Sequence, residues 1–533
     1  MKNLSAFIDC SRGAVYTEAA LKKYIDALSQ MGYNSLQLYT EDTLTVEGEA
    51  YFGYLRGAYS IDEIKRLDSY ARSRGMELIP AVQTLAHLKG ITRWEQYAGI
   101  TDTGNILLMG DERTYALIDN IFAVCREAYS SNRINIGMDE AYLVGRGKYA
   151  DIHGNKDRMI AMLDHIKRVC EIADKYGFKP MMWSDMFFRL GEVDYYSDKP
   201  RAFSKEIADL VPKNLDLIYW EYFTNNYNRY FTTLKAHKSL KNNILFAGGT
   251  WCWGGITPHN KFSIVNNCVA LKACADNGIE EVIITGWKDD GAESSLFSTL
   301  PALMFAVENY YGNFDEKVIK IKFEKLFGID CDGFMSLDKP DLLDDEYTNS
   351  NPTKYMLFSD PFLGWLDGTV DENKSVMFEK AKAEIDKYIR NKSYGYIFET
   401  SSALCDVMSI KYALGVRTRK AYKSGDKKAI ERLISHYDEL YKRVQKLYER
   451  FKAQWDKECK QNGFEHHDAR YGALLMRIKH CREILSEYAS GKKASIPALE
   501  EEILPPNKGD SRVGEAIQFN NYAMTALIKY SED

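Results

Sequence analysis

Eight short apolar runs, each followed by a helical pattern, constrain this chain more than any other feature. They are Leu4–Asp9, Ser35–Thr40, Leu78–Gln83, Ile134–Glu140, Met181–Asp185, Leu217–Tyr222, Ile244–Trp251 and Val282–Trp287. These are strand lengths, and near-continuous apolar character is what a strand buried on both faces needs. Thr17 is a good N-cap before EAALKKYIDALSQM, and Gly32 follows as a helix-ending glycine should. Ser60 and Gly75 bracket a second helix, and residues 157–177 and 260–278 repeat the helix-then-glycine pattern. Alternation of this kind predicts a parallel sheet, and eight units over residues 1–312 predict a (β/α)8 barrel, an α/β fold.

Beyond about residue 315 the texture changes. Strand-like runs stop, and long charged amphipathic stretches appear at 374–391, 427–461 and 471–491. Proline clusters at 339–361 and 497–506 predict irregular connections. Residues 313–533 therefore read as an all-helical domain packed on the barrel. It would serve either as a plain buttress or as the surface of a homodimer.

Bulk composition narrows the function classes. A formal net charge of −6 argues against a nucleic-acid or anionic-membrane partner, since both would need a basic surface. No stretch approaches membrane-spanning length. The amino terminus, MKNLSAFIDCSRG, has no long apolar core and no small-residue cleavage site. The ten cysteines are scattered and form no CxxC pair, so they read as free thiols in a reducing compartment. The expected location is the cytoplasm. The 36 tyrosines and 8 tryptophans supply flat apolar faces of the kind a pyranose ring packs against, which is compatible with carbohydrate chemistry.

In a barrel the active site lies at the carboxyl ends of the strands, so the residues closing each run matter most. Those ends carry Asp9 and Arg12, Glu41 and Asp42, Gln83 and His87, Asp139 and Glu140, Trp183 and Asp185, Trp220, Glu221 and Tyr222, Trp251 and Trp253, and Trp287 and Asp289. Acids for proton transfer and indoles to hold a ring, gathered on one rim, suggest a glycosidase. A retaining enzyme with two protein carboxylates needs them roughly 5–5.5 Å apart across the scissile bond. Asp139 and Glu140 are neighbours on one strand end and point in different directions. The seventh run ends GGTWCWGG, without a carboxylate. One acid plus a residue that orients the substrate's own nucleophile fits this arrangement better. A pair made of Glu140 and Glu221 is the two-carboxylate alternative, and a catalytically silent sugar-binding barrel is a further one.

The segment NIGMDEA at 135–141 resembles the catalytic motif of glycoside hydrolase family 20, the β-N-acetylhexosaminidases. FIDCSRGAV, LYTEDT, FGYLRGAYS, QTLAHL, MDEAYLVGRGKY, MMWSDMFF and GWKDDG resemble one bacterial branch of that family, in which a large helical domain follows the barrel. FET at 398–400 and LLMRIK at 474–479 extend the resemblance into the helical part. Family members usually carry a small α/β domain before the barrel, whereas the first run here begins at Leu4.

The resemblance implies roles. Glu140 would protonate the glycosidic oxygen and later activate water. Asp139 would hold the substrate's acetamido N–H while its carbonyl oxygen attacks the anomeric carbon. Arg12 would bind sugar hydroxyls through its donor fork. Tyr222 is expected to hold the acetamide oxygen, with Tyr219 as competitor because the register is open. Trp183, Trp253 and Trp287 would wall the sugar, with Trp220 and Trp251 on the same rim. Asp289 would bind O4 or O6, Glu41 and Asp42 are further candidates, and Asp185 would orient its neighbours. His87 would hydrogen-bond Asp139 or Glu140, or stand as a satisfied core histidine. His466–His467 lacks a third ligand at metal spacing, so no metal is expected. No dinucleotide or phosphate loop precedes a helix, so no cofactor is expected. The implied partner is a glycan, terminal β-linked GlcNAc or GalNAc, with GalNAc-only activity as an alternative.

Overall fold

A computed structural model describes residues 3–289, 291–342 and 352–504. Eight parallel strands close into a barrel: β1 (Asn3–Asp9), β2 (Ser35–Tyr39), β3 (Glu77–Ala81), β4 (Arg133–Asn135), β5 (Lys179–Trp183), β6 (Asp216–Trp220), β7 (Ile244–Gly249) and β8 (Glu281–Gly286). Each pairs with its sequence neighbours, and β8 returns to β1 with Asn3 opposite Glu281 and Ile8 opposite Gly286. All eight fall on the apolar runs. The expected caps are in place: the Thr17 hydroxyl accepts the Ala20 N–H, and Ser60 and Glu63 form a reciprocal capping box. A small ribbon, Thr101–Thr103 with Ile106–Leu107, lies between β3 and β4 in sequence.

Because alternate strand residues face opposite sides, one set fills the lumen. Phe7 of β1 lies 5.7 Å from the Trp183 ring of β5 and 4.6 Å from Trp287 just after β8, so it points inward. Below this aromatic layer runs a polar contact chain, in which Asn135 Nδ2 donates to Gln37 Oε1 at 3.1 Å.

After the barrel the described chain is helical. Gly395–Lys423, Lys427–Glu458 and Glu465–Ala489 pack in succession. The stretches expected at 427–461 and 471–491 match two of them, although the last begins six residues earlier. The first of the three carries no one-sided stripe, because most of its residues are buried. The proline cluster at 339–361 includes a 3₁₀ turn, Ser336–Asp341, and a helix, Pro352–Phe358. Its central portion, and everything after 504, lies outside the described residues. Among the described residues no helix is long and apolar enough to cross a membrane.

The end of β4 is the most constrained turn of the barrel. The ladder continues one residue past the strand, with the Ile136 N–H on the Met181 carbonyl at 2.8 Å. The backbone then turns left-handed at Gly137 (φ 70°), Met138 (φ 71°) and Glu140 (φ 50°). A side chain on Gly137 would place its Cβ 2.1 Å from Gln83 Oε1, so glycine is required by space as well as by φ. Gly137→Ala is expected to destabilise the fold by about 1–3 kcal/mol and to lower activity with it. An unfolding curve and an activity assay matching the parent would contradict this.

Candidate active site

The turn after β4 sends its two acids to different surroundings. Asp139 is buried: its Oδ1 accepts from Gln83 Nε2 at 2.7 Å, and Oδ2 lies 3.4 Å from His87 Nε2. Glu140 reaches the mouth, with its side chain 39% exposed, and its Oε1 accepts the Tyr142 hydroxyl at 2.9 Å. Its backbone N–H donates to Asp185 Oδ2 at 3.0 Å, and Trp220 Nε1 donates to Asp185 Oδ1 at 3.3 Å. Asp185 thus ties the β4 turn to β6, which is an orienting position.

Gln83, noted at the end of the third run, carried no assigned role in the sequence reading. Its Oε1 accepts the Met138 N–H at 3.0 Å, while Nε2 donates to both Asp139 and the Tyr39 hydroxyl. Tyr142 was given no role either. Neither is titratable near neutrality, so neither stood out on a rim rich in acids. The MDEAY and QTLAHL segments that contain them were the available signal.

His87 is held at φ 54° by a loop braced on the small ribbon, where the Leu107 N–H donates to the Leu85 carbonyl and the Leu88 N–H to Asn105. It lies 3.7 Å from Glu140 as well as 3.4 Å from Asp139. Burial disfavours the imidazolium, but Asp139, with Glu140 behind it, outweighs burial and raises the ring to about 9. Asp139 feels the converse: burial raises it, while His87 and Gln83 bring it below the usual carboxylate value. Asp185 is pushed up to about 7, first by burial and then by the Asp139 charge.

Opposite the acids stands an aromatic wall. The Tyr222 hydroxyl accepts Trp287 Nε1 at 3.0 Å, and its ring stacks on Trp220 at 5.3 Å and meets Trp253 edge-on at 5.4 Å. Trp251 lies 4.6 Å behind Trp253 and donates its Nε1 to the Tyr222 carbonyl. Trp183 sits 5.7 Å from Trp287 at the floor. Arg12 lies between Asp9 (3.3 Å) and Glu41 (3.3 Å), and Glu41 also accepts the Tyr39 hydroxyl at 2.8 Å. Asp289 is exposed at the rim after β8.

Three expectations from the strand ends need correction. Tyr219 is fully buried and packs on His237, Phe246 and Tyr195, because its place in the alternation of β6 sends it out to the helices. Register therefore leaves Tyr222 alone at the mouth. Asp42 is buried against Gly90 and 3.4 Å from Arg56, which removes its carboxylate from the rim. Glu221 is buried as well, 3.2 Å from Arg229 Nε and accepting the Phe223 N–H, so it does not face Glu140 as a second carboxylate. His466 and His467 belong to no metal cluster among the described residues. His467 instead contacts the Gly291 carbonyl at 2.8 Å.

The sequence matches the glycosyl hydrolase family 20 catalytic domain over residues 5–242 and the glycoside hydrolase 20C C-terminal domain over residues 332–518. The chain belongs to glycoside hydrolase family 20. Hexosaminidase D of Homo sapiens is 25% identical over 354 residues, covering 62% of this chain and 69% of that protein. Hexosaminidase D of Bos taurus is 24% identical over 348 residues, covering 60% and 95%. A β-N-acetylhexosaminidase from Bacteroides fragilis aligns in structure with a TM-score of 0.47 at 17% identity, over 61% of this chain and 70% of that one. In this glycoside hydrolase the matched catalytic segment contains Arg12, His87, Asp139, Glu140 and Tyr222, while the loops after β7 and β8 add Trp253 and Trp287.

The His87–Asp139 contact carries a pH signature. The folded-state value of His87 lies above its ordinary 6.5, so the stabilisation it draws from Asp139 is full below about pH 6.5 and is lost as pH rises through about 9. The unfolding free energy of the parent is expected to decline across that window. His87→Asn is expected to flatten the decline, as followed by urea unfolding from pH 6 to 10, and an unaltered slope would show that His87 is not its source.

Proposed function

We propose that this family 20 enzyme removes terminal β-linked N-acetylhexosamine with retention, the substrate's own acetamide serving as nucleophile. The observation that carries the reading is the divergence of the acids after β4. Asp139 is buried and held from two sides, whereas Glu140 opens to the mouth on the Tyr142 hydroxyl. Glu221, the second carboxylate of the two-carboxylate alternative, is committed to Arg229 and a backbone N–H. The two relatives named Hexosaminidase D support the hexosaminidase part of this reading.

In this reading the 2-acetamido group lies between Asp139 and the Tyr222 hydroxyl, over the Trp183–Trp287 floor. Asp139 accepts the acetamido N–H, and Tyr222 donates to the carbonyl oxygen. Holding both ends aims the oxygen at C1, an orientation advantage that a free amide lacks. As the oxygen bonds to C1, the C1–O bond to the leaving group breaks and Glu140 delivers its proton to that oxygen. The intermediate is a bicyclic oxazolinium whose positive charge sits beside Asp139. Glu140, now a carboxylate, takes a proton from water as the water attacks C1. The bond to the acetamide oxygen breaks, and the product keeps the β configuration. Arg12, with Asp9 and Glu41 around it, supplies the donors for sugar hydroxyls on the far side of the ring. Contacts to O4 set the balance between GlcNAc and GalNAc, which are epimers there.

The test is cleavage of paired nitrophenyl β-GlcNAc and β-GalNAc substrates and of natural disaccharides. Glu140→Gln is expected to lose about 100-fold or more on disaccharides, whose leaving groups need protonation, and less on nitrophenyl substrates. Asp139→Asn is expected to fail on both, because its role precedes departure. A thiazoline analogue of the acetamido sugar is expected to inhibit competitively. Indifference to that compound, or near-parental turnover of disaccharides by Glu140→Gln, would overturn the reading.

A further inference from the structure

The turn between the helices Lys427–Glu458 and Glu465–Ala489 reaches into the barrel mouth and touches three of its loops. On the loop after β1, the Thr17 N–H donates to the Glu458 carbonyl at 2.8 Å and the Lys460 N–H donates to the Val15 carbonyl at 2.7 Å. Gly463 lies so close to Gly13 that a Cβ there would sit 1.8 Å from the Gly13 carbonyl oxygen. On the loop after β2, Asn462 Nδ2 donates to the Leu55 carbonyl at 3.1 Å and Lys460 Nζ to Ala58 at 3.2 Å. On the loop after β8, the Glu458 carboxylate accepts the Ser295 hydroxyl at 2.5 Å and the Leu296 N–H at 2.7 Å.

The β8 loop receives the strongest hold. Arg470, fully buried on the helical side, donates Nη1 to Glu293 Oε1 at 3.1 Å, and Lys354 Nζ lies 2.6 Å from the other Glu293 oxygen. His467 adds its contact with the Gly291 carbonyl. Three buried charges are a costly way to join two parts of a protein, since apolar packing would hold them as firmly. What the charges add is direction, because a guanidinium and a carboxylate meet in few geometries. The loop so directed begins at Lys288 and Asp289. At its root the Lys288 N–H and Arg12 Nε share the same Asp9 oxygen, at 3.2 and 3.3 Å. Asp289 and Arg12 therefore stand on one braced unit whose outer anchor belongs to the helical region.

We propose that Arg470, assisted by His467, is a positioning residue for sugar binding: through Glu293 and Gly291 it sets the loop that carries Asp289, whose neighbour Lys288 shares an Asp9 oxygen with Arg12. The inference rests on the proposed reading only for the identity of the sugar. The helical region is then a working part of the binding site, and the loop geometry it imposes sets KM. The acids after β4 lie on other loops and keep their chemistry.

The test compares full-length Arg470→Met and Arg470→Lys with the parent on a nitrophenyl N-acetylhexosaminide, alongside amide hydrogen exchange of residues 291–299. Arg470→Lys keeps a cation beside Glu293 and so preserves folding if the Met variant does not. KM is expected to rise about 10- to 100-fold in the Met variant and less in the Lys variant, with kcat within about 3-fold. Exchange across 291–299 is expected to speed up in both. Parental KM and parental exchange in either folded variant would overturn the proposal, as would a loss of kcat with KM unchanged. A parent inactive on both aryl sugars sinks the functional reading instead, and exchange then decides the positioning claim alone.

Discussion

The amide of Gln83 is the contact on which the working end of the barrel depends. It accepts the N–H of Met138, a residue in left-handed backbone, and donates to Asp139 and to the Tyr39 hydroxyl. One side chain just past the third strand thereby fixes a strained turn just past the fourth and links it to the second. Without that grip the turn would relax, and the directions of Asp139 and Glu140 would relax with it. The stored strain is local, and the closed sheet beneath over-determines it.

Electrostatics then separates two carboxylates, Asp139 after β4 and Asp185 after β5, that are buried near one another. Asp139 has the imidazolium of His87, so its charge is favoured despite burial. Asp185 has no comparable cation and is buried near that same charge, so its proton is held up to about 7. This is the usual outcome when like charges share a dry site: a cation or a proton must compensate. In the proposed mechanism Asp139 stays anionic beside a developing oxazolinium, and His87 favours that charge.

Parts of this organisation were legible in the linear chain. The eight runs gave strand positions to within a few residues, since a doubly buried parallel strand must be apolar almost throughout. The caps at Thr17 and Ser60 were readable because capping is a local interaction. The helix Gly395–Lys423 was not, because a helix enclosed on nearly every side shows no stripe of period 3.6. Gln83 was given no role for a related reason: its importance comes from contacts with Met138, Asp139 and Tyr39 on other strand ends, which local pattern does not record.

By itself the sequence determined the barrel, the strand that carries the paired acids and the absence of a carboxylate on the seventh run, because these follow from periodicity and residue type along the chain. Tertiary structure alone decided the rest. It put Tyr222 and not Tyr219 at the mouth, since strand register selects the face. It withdrew Asp42 and Glu221 behind arginines, since ion pairs form between residues distant in sequence. It also brought Arg470 to the loop bearing Asp289, a contact between residues 177 apart in the case of Glu293. Direction and pairing are properties of closed space, and only the folded chain possesses them.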